Sequence, residues 1–479
     1  MTRWSMPLFL LGTLTFLAGC APEHLTRQEI YDPANCQDCH EDHVADWQLS
    51  MHAYAADDPV FLAMDKQRQE ETGGALGGFC VGCHAPIAVR EEGIQSAEEL
   101  EDVPEYMKGV TCAFCHLAEE VHPDAELNNN PIELAKGRVL RAAIRDPVRS
   151  PAHPAAYGEH LDRSTRKASD LCGSCHDIVL PNGLHLERTH EEWQESLFGQ
   201  IVPGTDSPVL GCGGCHMGST ERPVADFDGV PVRDFHDHSM PGIDVPLVNA
   251  EADPVWAERR PAVEALVTEF LKDTVRSEIC VNSEPPSWEV VVGLENVSAG
   301  HSFPSGSTQD RRVWAWIQAW DEDKLLWETG FVPEDEAANE VDQLILLKNT
   351  MVDADGNPAH AFHDADRYLE NDENGEPIAN PDNGRGLLLG LRQVDGLTVE
   401  QVRVWSFKPN FFTAPTRVEL RMFERPIGFD VLDELIEEGY LDPAVKADMP
   451  TFELTGARLV WEEGQLGTCV TSDNQLDDD

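Results

Sequence analysis

The sequence is short of positive charge. Lys and Arg make up 35 of its 479 residues against 87 Asp and Glu, a formal net charge of −52. A phosphate backbone demands a basic footprint, so nucleic acid is excluded as a partner. Long apolar runs are also scarce. The one at the start, Met6 to Ala18, falls short of the ~20 residues that a membrane-spanning helix needs. With 41% hydrophobic and 25% charged residues the composition is that of a globular chain, and its length exceeds one ordinary core, so two folded domains are expected. The acidity serves solubility first, and secondly selects a basic partner.

Cysteine is what the chain has in excess. Ten of its 13 cysteines fall in five Cys-x-x-Cys-His units: Cys36-Gln-Asp-Cys39-His40, Cys80-Val-Gly-Cys83-His84, Cys112-Ala-Phe-Cys115-His116, Cys172-Gly-Ser-Cys175-His176 and Cys212-Gly-Gly-Cys215-His216. Two thiols at this spacing add to the two vinyl groups of a heme, and the adjacent imidazole reaches its iron. A zinc half-site or a redox dithiol does not require His at that place five times over. The sequence therefore predicts five covalent heme c groups, with His40, His84, His116, His176 and His216 as proximal ligands. The 18 histidines exceed the ten that five bis-His irons take up, so no distal Met is needed.

The three remaining cysteines have separate readings. Met1 to Cys20 has one Arg, a short apolar stretch and small residues, as secretory signals do, and Leu17-Ala18-Gly19-Cys20 resembles a bacterial lipobox. This implies an exported protein, acylated at Cys20. Ala21 in place of Asp points to the outer membrane, facing the periplasm or the cell surface. Cys280 and Cys469 are left over, and in an oxidising compartment a leftover pair is expected to form a disulfide.

All five units lie between residues 36 and 216, and composition shifts after them. The expected order is a signal peptide over 1–20, a heme-packed, mostly α and irregular domain over 21–250, a linker helix over 251–276, an all-β sandwich-like domain over 277–470, and an acidic tail over 471–479. Apolar residues from Pro261 to Leu271 recur at helical spacing, whereas Arg312–Trp320, Gln401–Phe407 and Thr416–Phe423 carry the alternation of half-buried strands. Residues 427–448 read as a short helical insertion. The acidic loops Asp353–Asn357 and Asn371–Glu376 lack the full EF-hand spacing, so solvated turns are preferred to calcium sites.

The segment Trp47-Gln-Leu-Ser50-Met-His52-Ala53 resembles one in the cytochrome c554-like family, which is related in heme arrangement to hydroxylamine oxidoreductase and pentaheme nitrite reductase. The stretch from Cys172 to Ser196, and Cys212 to Met217, are similar to it as well, and the likeness spans roughly residues 30–310. It implies that His52 is a distal ligand to a neighbouring heme. It also implies a distal His soon after the third unit, where His122 stands. His153, with His160 as its rival, and His238, beside His236, are the next distal candidates. Where the family usually has an aromatic, this chain has His190. Asn296-Val-Ser-Ala-Gly300-His301-Ser-Phe-Pro304-Ser305-Gly306 resembles a Gly-His-x-x-Pro-Thr-Gly segment of related C-terminal domains, which implies that His301 reaches across to ligate a heme.

Function follows as an expectation. Closely spaced hemes with closed irons imply electron transfer with redox partners, either other cytochromes or a terminal reductase. The alternative is an oxidoreductase acting on a small nitrogen or sulfur compound at one open heme. Pentaheme nitrite reductases typically carry a Cys-x-x-Cys-Lys unit, and here all five units end in His. That favours electron transfer. The β-domain has docking as a further role.

Overall fold

The structure, a computed structural model, describes residues 24–122, 128–247, 253–284, 287–338, 344–359, 361–371, 377–380, 391–394, 397–400, 403–409, 413–465, 467 and 469–472. The signal segment with Cys20, the loop residues 372–376 and the acidic residues 473–479 lie outside them. No helix among the described residues is long and apolar enough to cross a membrane.

The first half is built from short helices and two-stranded ladders. Its helices include Glu41–Trp47, Met51–Tyr54, Pro59–Glu71, Pro86–Glu92, Arg166–Gly173 and Thr189–Glu195. They start where sequence chemistry allows. Asp58 accepts the Val60 N–H and Pro59 fills the first turn of the longest one, so the orphan donors there are met or absent. A core of Ile30, Tyr31, Val81, Ile87, Leu100, Phe114 and Leu117 packs around the first three units.

Helix Pro254–Leu271, capped by Asp253, leads into the second half and buries Trp256, Val263, Val267 and Leu271. Two antiparallel sheets follow. One has the strand order Arg403–Phe407, Ser287–Asn296, Val275–Glu284, Cys469–Thr471, and the other centres on Arg312–Asp321 and Arg417–Arg425. Along 417–425 buried residues alternate strictly at first, so Val418, Leu420 and Met422 face inward. They meet Ile279, Val281, Val290 and Val292 of the other sheet in one core. Two faces sharing a core make a sandwich. The same core takes in Val60, Ala63, Val245 and Leu247 from the first half.

Residues 427–448 form helices Phe429–Glu437 and Pro443–Asp448. Cys280 and Cys469 stand directly opposite one another on paired strands and are disulfide-bonded, with Cα atoms 4.2 Å apart.

Candidate multiheme site

Each unit folds as a single helical turn. The His40 N–H donates to Cys36 O, His84 to Cys80 O and His176 to Cys172 O, while Cys112–His116 and Cys212–His216 are helices throughout. Residues i and i+4 share a helix face, so the first Cys and the His project together. The free thiols stand in for the thioether sulfurs of attached heme. Thiols of different units touch: Cys36 with Cys112, Cys83 with Cys175, and Cys172 with Cys212. The units are thus ordered in space, the first beside the third, and the fourth beside both the second and the fifth.

The imidazoles are oriented for a metal. Nδ1 of His40 lies 2.9 Å from Val224 O, that of His84 2.8 Å from Ala55 O, that of His116 2.6 Å from Arg141 O and that of His216 2.8 Å from Pro241 O. An Nδ1–H donated to a carbonyl leaves the Nε2 lone pair free as a ligand. Burial favours the neutral ring, and pushes His52 down to about 3 and His116 and His216 to about 4.

Four of the proximal rings face a second imidazole. Ring centroids are 6.4 Å apart for His40 and His153, 6.4 Å for His116 and His238, 6.1 Å for His52 and His176, and 6.4 Å for His216 and His301. Metal–nitrogen bonds of about 2 Å on either side of an iron place two rings about 6 Å apart, centre to centre. The residues present therefore fit four bis-His irons.

Local sequence explains how the distal rings are held. Ser50 caps the turn Met51–Tyr54 by accepting the Ala53 N–H, the Trp47 indole donates to Val110 O, and Val110 N–H donates to His52 O. Gly109 makes this possible. Its φ is +69°, and a Cβ there would meet His52 O at 2.7 Å and Ala53 O at 2.9 Å. His238 directs its Nδ1 to His236 O at 2.7 Å, so the backbone of the neighbouring His orients the ring.

His301 sits on a loop from the β-domain that is stitched to helix Thr189–Glu195. The Glu192 carboxylate accepts from Ser302 N–H at 3.2 Å and from the Ser305 hydroxyl at 2.7 Å. The Gly306 N–H donates to Thr189 Oγ1, and Ser307 donates to Glu187. Arg311 then makes two contacts to Asp244, at 2.9 and 3.0 Å.

The second unit differs. His84 stacks on Phe61 with centroids 3.9 Å apart and planes at 2°, and none of His52, His153, His238 and His301 pairs with it. The distal candidate after the third unit, His122, stands beside a carboxylate. It is half-exposed at the end of a hairpin strand and lies 3.6 Å from Glu133. His160 points its Nδ1 to Lys167 O. His190 is buried against the fourth unit instead of ligating, with Nε2 3.2 Å from Asp170. Sequence reasoning missed Phe61, Glu192 and His43, whose ring lies 4.8 Å from His238.

Residues 35–117, which carry the first three units, match the family described as cytochrome c554 and c-prime. The chain is a multiheme c-type cytochrome. As such it has a redox role. No curated protein sequence matches it. Among solved structures it is similar to a penta-heme cytochrome c552 from Thermochromatium tepidum, with a TM-score of 0.56 and 20% identity over 90% of this chain and 99% of that one. At that identity the cytochromes share a fold, and the likeness extends over the sandwich as well as the units.

Proposed function

We propose that this cytochrome binds five heme c groups and conducts electrons through them. The observation that carries the reading is the set of four facing imidazole pairs. In this reading His40 with His153 hold the first iron, His116 with His238 the third, His176 with His52 the fourth, and His216 with His301 the fifth. Two imidazoles close an iron to substrate, so such a center exchanges electrons only. The thiol contacts pair the first unit with the third and set the second and fifth beside the fourth. Cys115 of the third lies near enough to Cys172 and Cys175 of the fourth to act on them electrostatically, which supports a branched route. Heme supplies the one-electron chemistry, and the chain supplies position, dryness and neutral ligands.

The proposal includes export, acylation at Cys20 and anchoring at the outer membrane, facing the periplasm or the cell surface. Redox proteins, other cytochromes or a terminal reductase, are the proposed partners. Mass spectrometry of the denatured protein is expected to add about five heme masses, as the motif count requires. Oxidised protein is expected to give low-spin electron paramagnetic resonance signals for the first, third, fourth and fifth irons. Fewer than four low-spin irons would overturn the conduit reading.

A second reading is favoured by one observation: the four paired imidazoles, His52, His153, His238 and His301, all face other units and none faces His84. It makes the second unit an open site for a small nitrogen or sulfur compound, fed with electrons by the fourth unit. Carbon monoxide binding to one reduced heme in five supports it. No binding to any heme retires it.

A further inference from the structure

Around the fifth unit the chain sheds its charge. From Leu197 to Thr220 a single acidic residue, Asp206, interrupts a run without Lys, Arg or Glu, in a protein where 25% of residues are charged. The middle of this run folds into a small lobe. Val202 N–H donates to Ser207 O, Val209 N–H to Gln200 O, and Ile201 bridges Pro208. Its apolar side chains point outward. Ile201 is 37% exposed, Val202 39% and Val209 50%.

The lobe is fastened to the heme-binding turn. Leu210 N–H donates to Phe198 O, the Trp193 indole donates to Leu210 O, and the Leu210 side chain lies so close to Gly214 that a Cβ there would meet it at 2.4 Å. Of the ten thiols of the five units, only Cys215 is exposed. The fifth unit thus has a thiol at the surface beside the apolar lobe, with Arg163 packed on the other side of its turn.

We infer that this lobe is the contact face of a two-fold homodimer, which sets the fifth units of two copies beside one another. Two chains that each carry a net charge of −52 repel through almost any pair of faces. The lobe, whose one carboxylate is Asp206, is where they can meet with the fewest carboxylates brought together. An apolar face is complementary to itself, as a two-fold contact requires. A basic partner, by contrast, gains nothing here and is drawn to the acidic surfaces. The dimer joins two heme arrays at their exposed ends, so an electron entering one copy can leave through the other.

The test uses the full-length, heme-loaded protein in sedimentation equilibrium at low and high salt. Dimers are expected, and their association tightens as salt rises, because salt screens the like-charge repulsion and leaves the apolar contact. Combining Ile201→Asp with Val209→Asp places carboxylates in the contact and is expected to weaken association about a hundredfold or more. Val404→Asp, at a 61%-exposed position on the β-domain, is expected to dimerise as the native chain does. Unchanged heme absorbance per chain shows that the variants are folded. A native chain that stays monomeric at every salt and concentration overturns the inference. So does a dimer that loosens with salt, or a double variant that dimerises normally.

Discussion

Replacing His301 by Ala separates a ligand that spans the domains from a histidine that merely lines their junction. The ring lies 6.4 Å from His216, nearly parallel at 10°, with Nδ1 2.8 Å from Ser302 O. If an iron sits between the two rings, the substitution opens one center in five. About one quarter of the low-spin signal from the four paired irons is then expected to become high-spin, and one reduced heme more than in the native protein to bind carbon monoxide, since an open iron face admits ligands. The loop itself is expected to stay docked, because Glu192, Thr189 and Asp244 still hold Ser302, Ser305, Gly306 and Arg311. Glu192→Ala makes the opposite change. It leaves the Ser302 N–H without its acceptor in a buried site, at a cost of about 1–3 kcal/mol, while the Ser305 hydroxyl keeps Thr189 Oγ1 2.7 Å away. It is therefore expected to lower thermal stability while all native low-spin irons remain low-spin. Electron paramagnetic resonance, carbon monoxide difference spectra and thermal melts of the two variants read both effects. A His301→Ala protein with the native spectrum would refute the reasoning, and so would a Glu192→Ala protein that loses a ligand without losing stability.

Gly109→Ala is expected to destabilise the protein and disturb the fourth iron, since φ is +69° and the new Cβ would press on the backbone carbonyls of His52 and Ala53; thermal melting with heme spectroscopy checks both. Serine at Cys280 and Cys469 is expected to cost about 2–5 kcal/mol, because the bond closes a loop between residues 189 apart in sequence; denaturant titration of the double variant measures it. Glu424 is fully buried and burial raises its carboxyl from 4.5 to about 8, so between those values the native state keeps a proton that the unfolded chain has lost. Stability is therefore expected to fall as pH rises through this window, and Glu424→Gln to flatten the decline in melts taken across it.

The heme-attachment turns could be read directly because their chemistry is local. Two thioether bonds and one iron ligand fix five consecutive residues, and no tertiary context is needed to see them. The sandwich was legible for a similar reason, since the alternation of Val418, Leu420 and Met422 with Arg and Glu is written into one strand. Cys280 and Cys469 could be named without knowing that they stand opposite one another.

Distal ligation has no such local signature. His52 faces the ring of His176 although the two belong to distant parts of the chain, and His153 faces His40 rather than the fourth unit that follows it. Closeness in sequence to the third unit does not by itself place His122. It follows the third unit by six residues, but the strand Ala118–Val121 pairs with Ile132–Leu134 and carries it outward beside Glu133. What made His301 visible was its turn, where Gly300 at φ +76° and the following residues preset one projection. What hid the second unit is that a face without an imidazole leaves no motif. Phe61 stacks over the face of the His84 ring, beside its ligand direction, and in the sequence it is one apolar residue of helix Pro59–Glu71, indistinguishable from a core residue. An abundance of histidine therefore sets only an upper bound on closed irons. Which irons are closed depends on the loops and carbonyls that aim each ring, and those belong to the fold.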